Sequence, residues 1–233
     1  MKTRISQAYP DRVEVRGRDL AGDLMGRLTF TEYFHLLLTG EEPTEEQRFF
    51  LDLLLVAIAE HGLMPTNVAA RMTYAADPGS LQGAVAAGIL GAGPVVLGTA
   101  EACARLLQEP DPVQAALRIR DAGGKVPGFG HPVHKPVDPR AERILELANE
   151  HGTQGRHVTS ARSVADTLAP LTMNVSLPIA AVLLDLGYPA DVVKAIPILA
   201  RTASLLAHLA EEQDDPIGLG LAAAAEEAVE YER

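Results

Sequence analysis

The sequence predicts an all-α fold. Three observations carry this. Apolar residues recur at helical spacing along most of the chain, between residues that start and stop helices. The stretches that connect them are short. Strand-like alternation is confined to the first twenty residues, and no fixed-period repeat marks a solenoid. About ten helices packed on one another fit a chain of 233 residues, 47% of them hydrophobic, which is long enough to bury a sizeable core.

In chain order, Ile5, Val13 and Val15 alternate with polar residues around a turn at Pro10-Asp11, so residues 1–20 read as extended, with room for a short strand or hairpin. Leu20 to Leu28 gives one amphipathic turn set. Thr29-Phe30-Thr31-Glu32 has the form of a capping box, and the helix it opens runs through Leu38 and stops at Thr39-Gly40. His35 on that apolar helix reads as a core or groove histidine. Thr44 caps the next helix, with acids in its first turn and Gly62 as its stop. Asn67 to Ala76 is helical, and Ser80 caps Leu81 to Leu90, whose Ala and Gly residues suit close helix packing. Gly91 to Pro94 breaks the pattern, and helix resumes from Leu97 to Leu107. Asp111-Pro112 opens Val113 to Ala122, and Asp138 caps a helix from Pro139 through Ala148. Ser160 to Leu168 is helical, and Asn174 to Leu177 is an irregular link into Pro178 to Leu186. Asp191 to His208 forms a long apolar helix. The acidic, Ala-rich tail after Glu211 is helical from Leu219 and frays at its end.

Composition narrows the function. A formal net charge of −11 with 4% aromatic residues argues against nucleic acid as a partner. The lone Cys103 excludes an intrachain disulfide, reads as a buried thiol, and suits a reducing, cytoplasmic setting. The start, Met1-Lys2-Thr3-Arg4, has no apolar signal core, and the stretch nearest to a membrane span, Leu81 to Ala100, is built of small residues better suited to packing on protein than on lipid.

Against this background the stretch Gly124 to Arg140 stands out. Four prolines, three glycines, two histidines, two lysines and an arginine fall within seventeen residues. That density of Gly and Pro ends a helix. A basic loop in an acidic chain is consistent with a small anionic ligand, its glycines allowing close backbone approach. A surface crossover between helices is the other reading. Elsewhere, His134 and His208 read as structural, and His151 and His157 fall in a polar stretch and read as solvated. Arg201, on an apolar helix, needs an anionic partner if buried, and Glu101, Glu211 or a ligand could serve. The histidines lack Cys neighbours or a His-x-x-x-His pair, so no metal site is expected.

Pro127-Gly128-Phe129-Gly130-His131 followed by Asp138-Pro139-Arg140 resembles the signature of the citrate synthase family. His61 ten residues before Arg71, Arg201-Thr202-Ala203 with Ala207-His208, and Leu36 to Thr44 are similar to further family segments in the same order. The short length points to the citryl-CoA lyase group, which resembles the C-terminal module of ATP-citrate lyase. The resemblance implies a large helical domain, residues 1–98 and 190–233, and a smaller one, residues 99–189, closing on a ligand by hinge motion, and a homodimer. It implies that His61, His131, Arg140 and Arg201 bind a polycarboxylate, each arginine gripping a carboxylate bidentately. His131 would also donate a hydrogen bond or proton to the reacting oxygen, or take the hydroxyl proton in the cleavage direction. The backbone of Val126, Gly128, Phe129 and Gly130 would contact coenzyme A, with Lys135 facing its phosphates. Coenzyme A would come as a thioester substrate, with no permanently bound cofactor.

Two positions depart from the family pattern. Val96 stands where synthases carry a histidine, as the lyase modules also lack it. Ser176, after Asn174-Val175, stands where the family has an aspartate base, and a serine can only relay a proton or hydrogen-bond. The late arginine that a neighbouring subunit contributes in synthases has no counterpart, Arg233 lying in unrelated context. The expected activity is therefore a citryl-CoA lyase-like cleavage of a 3-hydroxyacyl-CoA to acetyl-CoA and a 2-oxo acid such as oxaloacetate. The alternatives are a condensing enzyme with altered substrate and a catalytically reduced subunit that binds CoA or carboxylate.

Overall fold

A computed structural model describes residues 1–131 and 133–232, so Arg233 lies outside the described residues. The chain divides into two compact units, Met1–Leu53 and the remainder from Leu54.

The first unit opens with three short antiparallel strands in the order β1 (Ser6–Ala8), β2 (Val13–Val15), β3 (Arg18–Asp19), with Gln7 opposite Glu14. The alternation in the sequence is used here: Val15 turns inward and packs with Leu24 and Leu36. Leu20–Leu24 forms a π-helical turn whose start is capped by Asp19, its Oδ1 accepting from the Gly22 N–H at 2.7 Å. Helix α1 (Phe30–Thr39) begins with the expected capping box. Thr29 Oγ1 accepts from the Glu32 N–H, the Glu32 carboxylate accepts from the Thr29 N–H at 2.7 Å, and Gly40 ends the helix at φ 88°. Helix α2 (Glu45–Ala59) starts the same way: the Thr44 N–H donates to Gln47 Oε1 at 2.9 Å, and Thr44 Oγ1 accepts from the Gln47 N–H.

In the second unit, α3 (Pro65–Ala76) packs against α4 (Leu81–Leu90), α11 (Ala195–Asp214) and α12 (Gly218–Glu227). Small residues allow this. Ala70 and Ala84 meet Leu205 and Leu209, and a Cβ on Gly88 would lie 2.6 Å from a Leu205 methyl. A second group centres on α9 (Ser176–Asp185), which packs against α5 (Thr99–Leu107), α7 (Pro139–Glu150) and α8 (Arg156–Leu168), while α8 also holds α6 (Pro112–Asp121). Enclosed on several sides, α9 is buried continuously from Leu177 to Leu184, which is why its sequence is apolar all round. Cys103 is buried, and burial pushes its thiol up.

Several boundaries differ from the sequence expectation. Helix α5 starts at Thr99 rather than Leu97, because Leu97 takes φ 65°, outside the helical region. Ser80 precedes α4 without a side-chain cap bond. Helix α8 starts at Arg156, ahead of Ser160, because the Asp185 carboxylate accepts the N–H groups of His157 (3.0 Å) and Val158 (2.9 Å). His157 is therefore a buried helix residue, its Nδ1 2.7 Å from Asp185, and not a solvated loop residue. The long helix from Asp191 is split into α10 (Ala190–Val193) and α11, because Pro197 has no N–H to offer the Val193 carbonyl. The expected tail begins inside the core. Glu212 is buried, accepts from the N–H groups of Ile217 and Gly218 at the start of α12, and pairs with Arg71 at 2.7 Å. The stretch Ala190–Asp214 is long and apolar enough to cross a membrane by length and composition, yet its polar residues Asn67-bonded Arg201 and Arg71-bonded Glu212 are used inside the unit.

Candidate active site

His61 follows the end of α2, His131 sits in the Gly-Pro loop, Arg140 in the first turn of α7, Ser176 at the start of α9 and Arg201 in α11. All five line one open cavity of about 160 Å³ within the second unit. The loop is held against the link that precedes α9. The Gly130 N–H donates to the Thr172 carbonyl at 2.7 Å, the Asn174 N–H to the Gly128 carbonyl at 2.8 Å, and Asn174 Nδ2 to the Gly130 carbonyl at 3.0 Å. Glycine is required at Gly128: φ is 84°, and a Cβ would lie 2.8 Å from Leu177 Cβ and 2.9 Å from Cys103 Sγ. These bonds bring His131 and Ser176 to the same cavity. Of the residues expected to contact coenzyme A, Gly130 lines the cavity. Val126 and Phe129 pack into the core with Ala116 and Val164, Gly128 is buried beneath, and Lys135 is exposed outside the lining.

The two arginines are held differently. Arg140 donates from Nε to Asp138 Oδ1 (3.1 Å) and from Nη2 to Oδ2 (2.9 Å), a bidentate grip on a fully buried carboxylate that also caps α7 and accepts the Val175 N–H. Burial works to raise Asp138, but the Arg140 bonds and charge hold it below the usual carboxylate range. Asp138 thus spends its lone pairs on orienting Arg140. Arg201 is 2% exposed and, among the described residues, has no ion pair. Its Nη1 donates to Asn67 Oδ1 at 2.8 Å and its Nη2 lies 3.5 Å from the Ile58 carbonyl. Its Nε is the buried side-chain nitrogen left without a partner among the described residues. Neither expected acid serves it: Glu101 bonds Arg105, and Glu211 bonds Arg71. Burial pulls the Arg201 guanidinium below its ordinary value, opposed by the charge of Glu60. A buried cation with an unmet donor beside a cavity fits a carboxylate ligand.

The histidines supply donors. His131 Nδ1 accepts the N–H groups of Val133 (3.1 Å) and His134 (2.8 Å). A neutral imidazole that accepts at one nitrogen carries its proton on the other, so the hydrogen-bond pattern assigns Nε2–H to His131. Burial, followed by His134, pushes His131 below the ordinary histidine value, with Asp138 opposing; burial and then Arg140 do the same to His61. His134 belongs to this cluster, contrary to the structural role its sequence suggested. Its ring stacks on His131 at 4.4 Å between centroids, and its Nε2 lies 3.2 Å from His61 Nε2. One nitrogen from each of the three rings falls within 4.8 Å of the others, a metal-ligand spacing that local sequence could not reveal. A metal-bound histidine donates its second ring N–H, however, whereas the second nitrogen of His131 accepts twice. The protonation pattern is that of a hydrogen-bonding cluster.

Among the described residues, no aspartate or glutamate lines the cavity. Val96 and Leu97, with Ile58, Met64 and Ile179, form its apolar side. The site combines two guanidinium groups, neutral imidazole donors and an apolar wall. This arrangement can hold a polyanion and stabilise negative charge on an oxygen, but it has no carboxylate to move a proton to or from carbon.

A family model for the citrate synthase C-terminal domain matches residues 1–218. Citrate synthase 2 of Bacillus subtilis is 31% identical over 196 residues, covering 79% of this chain and 52% of the relative. Citrate synthase of Haloferax volcanii is 29% identical, covering 78% and 51%. The chain thus spans about half the length of these curated relatives. Among solved structures, citryl-CoA lyase from Hydrogenobacter thermophilus superposes with a TM-score of 0.83 at 31% identity, covering 91% of this chain and 86% of that one. ATP citrate lyase from Methanothrix soehngenii, in complex with citrate and coenzyme A, shares the fold with a TM-score of 0.78 at 20% identity, covering 92% and 39%.

Proposed function

The chain belongs to the citrate synthase family, and on that premise we propose that it is a citryl-CoA lyase-like enzyme that splits a 3-hydroxy-polycarboxyl-CoA into acetyl-CoA and a 2-oxo acid such as oxaloacetate. The observation that carries this reading is Arg201, a buried guanidinium with an unmet Nε–H, sharing one cavity with Arg140, His61 and His131. Likeness in fold and sequence to a citryl-CoA lyase supports the lyase direction over synthesis.

In this reading the two arginines hold carboxylates and His131 Nε2–H meets the oxygen that is hydroxyl in the substrate and carbonyl in the product. Because Nδ1 is occupied, His131 stabilises that oxygen as a donor rather than taking its proton. The hydroxyl proton passes to His61, which burial and Arg140 keep neutral. As the C–C bond breaks, its electrons pass to the thioester as an enolate, and a proton relayed by Ser176 or water completes the acetyl group. Coenzyme A enters past Gly130, the residue of the Val126–Gly130 loop that lines the cavity, with Lys135 towards its phosphates. The domain limits 1–98, 99–189 and 190–233, a homodimer through the α4 side and a cytoplasmic setting belong to the same proposal.

The lack of a lining carboxylate among the described residues favours a second reading, a subunit that binds CoA and polycarboxylate without turnover. Wild type and Ser176→Asp, incubated with citryl-CoA and assayed by mass spectrometry for acetyl-CoA and oxaloacetate, separate the two. The lyase reading expects cleavage by wild type and faster cleavage by the variant. Binding without product in either protein supports the second reading.

A further inference from the structure

We propose that Glu60, outside the cavity lining, is a positioning residue that sets both His61 and Arg201 for the polycarboxylate. Four donors converge on its carboxylate. Oε1 accepts the N–H groups of His61 (2.7 Å) and Gly62 (2.8 Å). Oε2 accepts from Ser204 Oγ (2.6 Å) and His208 Nε2 (2.9 Å), both on α11. The carboxylate therefore ties the turn that carries His61 to the helix that carries Arg201.

The direction of every bond follows from two groups that can only donate. Arg201 donates to Asn67, so Asn67 must present Oδ1 to it and turn Nδ2 to Ser204 Oγ at 3.3 Å. With its oxygen accepting from Asn67, Ser204 directs its own proton to Glu60. On the other side Arg71 donates from Nε to His208 Nδ1 at 3.1 Å, so His208 carries its proton on Nε2 and gives it to Glu60. Both chains end on an acceptor, and an ionised carboxylate can take all four bonds. Burial works to raise Glu60, but the hydrogen bonds from Ser204, His61 and Gly62 hold it below the usual carboxylate range. A glutamine at this position would turn an NH₂ group against two of the four donors. It would either release His61 and Gly62, or reverse Ser204 and so the oxygen that Asn67 offers Arg201. Arg71 is itself fixed by buried Glu212 at 2.7 Å, which anchors the network to the start of α12.

This inference rests on the polycarboxylate reading of the cavity, and the test separates the two. Calorimetry with citrate and, independently, with coenzyme A is run on wild type, Glu60→Gln, Glu60→Asp and Ser204→Ala. Glu60→Gln is expected to weaken citrate binding about 10- to 100-fold, the scale of lost charge-assisted hydrogen bonds. Coenzyme A affinity should stay unchanged, and in turnover KM for the polycarboxylate should rise with the loosened Arg201 while kcat falls with the displaced His61. Glu60→Asp, which keeps the charge, should recover part of the affinity. Ser204→Ala, which cuts only the Asn67 branch, should show a smaller loss and serves if Glu60→Gln does not fold. Wild-type citrate binding unchanged in all three variants overturns the role of Glu60 and leaves the cavity reading standing. No citrate binding by wild type overturns the cavity reading. Nitrogen-15 NMR of His208 then tests the network without ligand: an Nδ1–H tautomer overturns the bond directions.

Discussion

Replacing Arg201 by methionine should move stability and affinity in opposite directions. The guanidinium is buried and, among the described residues, carries no ion pair and leaves Nε unmet. Its removal leaves no stranded counter-charge, since Glu60 keeps four other donors. Exchanging buried ionic groups for apolar ones of similar shape is neutral or stabilising by about 1–4 kcal/mol. Asn67 loses one bond, worth about 1 kcal/mol, but its Oδ1 still accepts from Thr66 Oγ1 at 2.9 Å. The net expectation is a gain of about 0–3 kcal/mol, or a Tm rise of up to roughly 10 °C for a chain of this size. Affinity should fall, because a desolvated charge pair lost on one side costs about 2–5 kcal/mol, or roughly 30- to 5,000-fold in Kd. Scanning calorimetry in the absence of ligand and titration with oxaloacetate read the two effects. A lower Tm with unchanged affinity would refute the reasoning and make Arg201 a structural residue.

Other consequences follow from the same geometry. His61 and His131 titrate below the ordinary value in the folded chain. As pH falls below about 6.5 the unfolded chain takes up protons first, so this part of the stability is present above that pH and is lost on acidification; urea unfolding from pH 8 to 5 measures it. A bound carboxylate raises both groups, so oxaloacetate binding should take up protons in the same window, seen as buffer-dependent calorimetric heats, and proton release would contradict the site. Gly128→Ala meets both a positive φ and two contacts under 3 Å and should cost about 2–5 kcal/mol. Gly130→Ala, at φ 83° with open space around it, should cost only about 1–2 kcal/mol; equal losses in chemical denaturation would show that the Gly128 contacts relax. Asp185→Ala removes the distant cap of α8 and should lower stability by about 1–3 kcal/mol, whereas a shift below 0.5 kcal/mol, the scale of a neutral surface change, would mean that water replaces it.

What the sequence disclosed was what depends on neighbours in the chain. The Thr29–Glu32 capping box, the Asp111 and Asp138 caps and the stop at Gly40 all act within a few residues, and all are in place. Helix α8 starts ahead of the position its local sequence suggests because its cap, Asp185, comes from another helix. His134 and His208 read as structural, with no partners that the local sequence can name, for the same reason. Their partners His61, Arg71 and Glu60 lie far off in the chain, and no spacing rule joins them. The convergence of His61, His131, Arg140 and Arg201 was legible only through a family resemblance. The unmet Nε of Arg201 and the tautomer of His131 required coordinates, since both depend on where donors point.

The most direct test of the account is a crystal structure of the protein grown with citrate and coenzyme A. The account predicts citrate in the cavity with carboxylates on Arg140 and Arg201, the latter reached through Nε, and the citrate hydroxyl within hydrogen-bond distance of His131 Nε2. Citrate at saturating concentration bound elsewhere, or an empty cavity with Arg201 still held only by Asn67 and the Ile58 carbonyl, would contradict it.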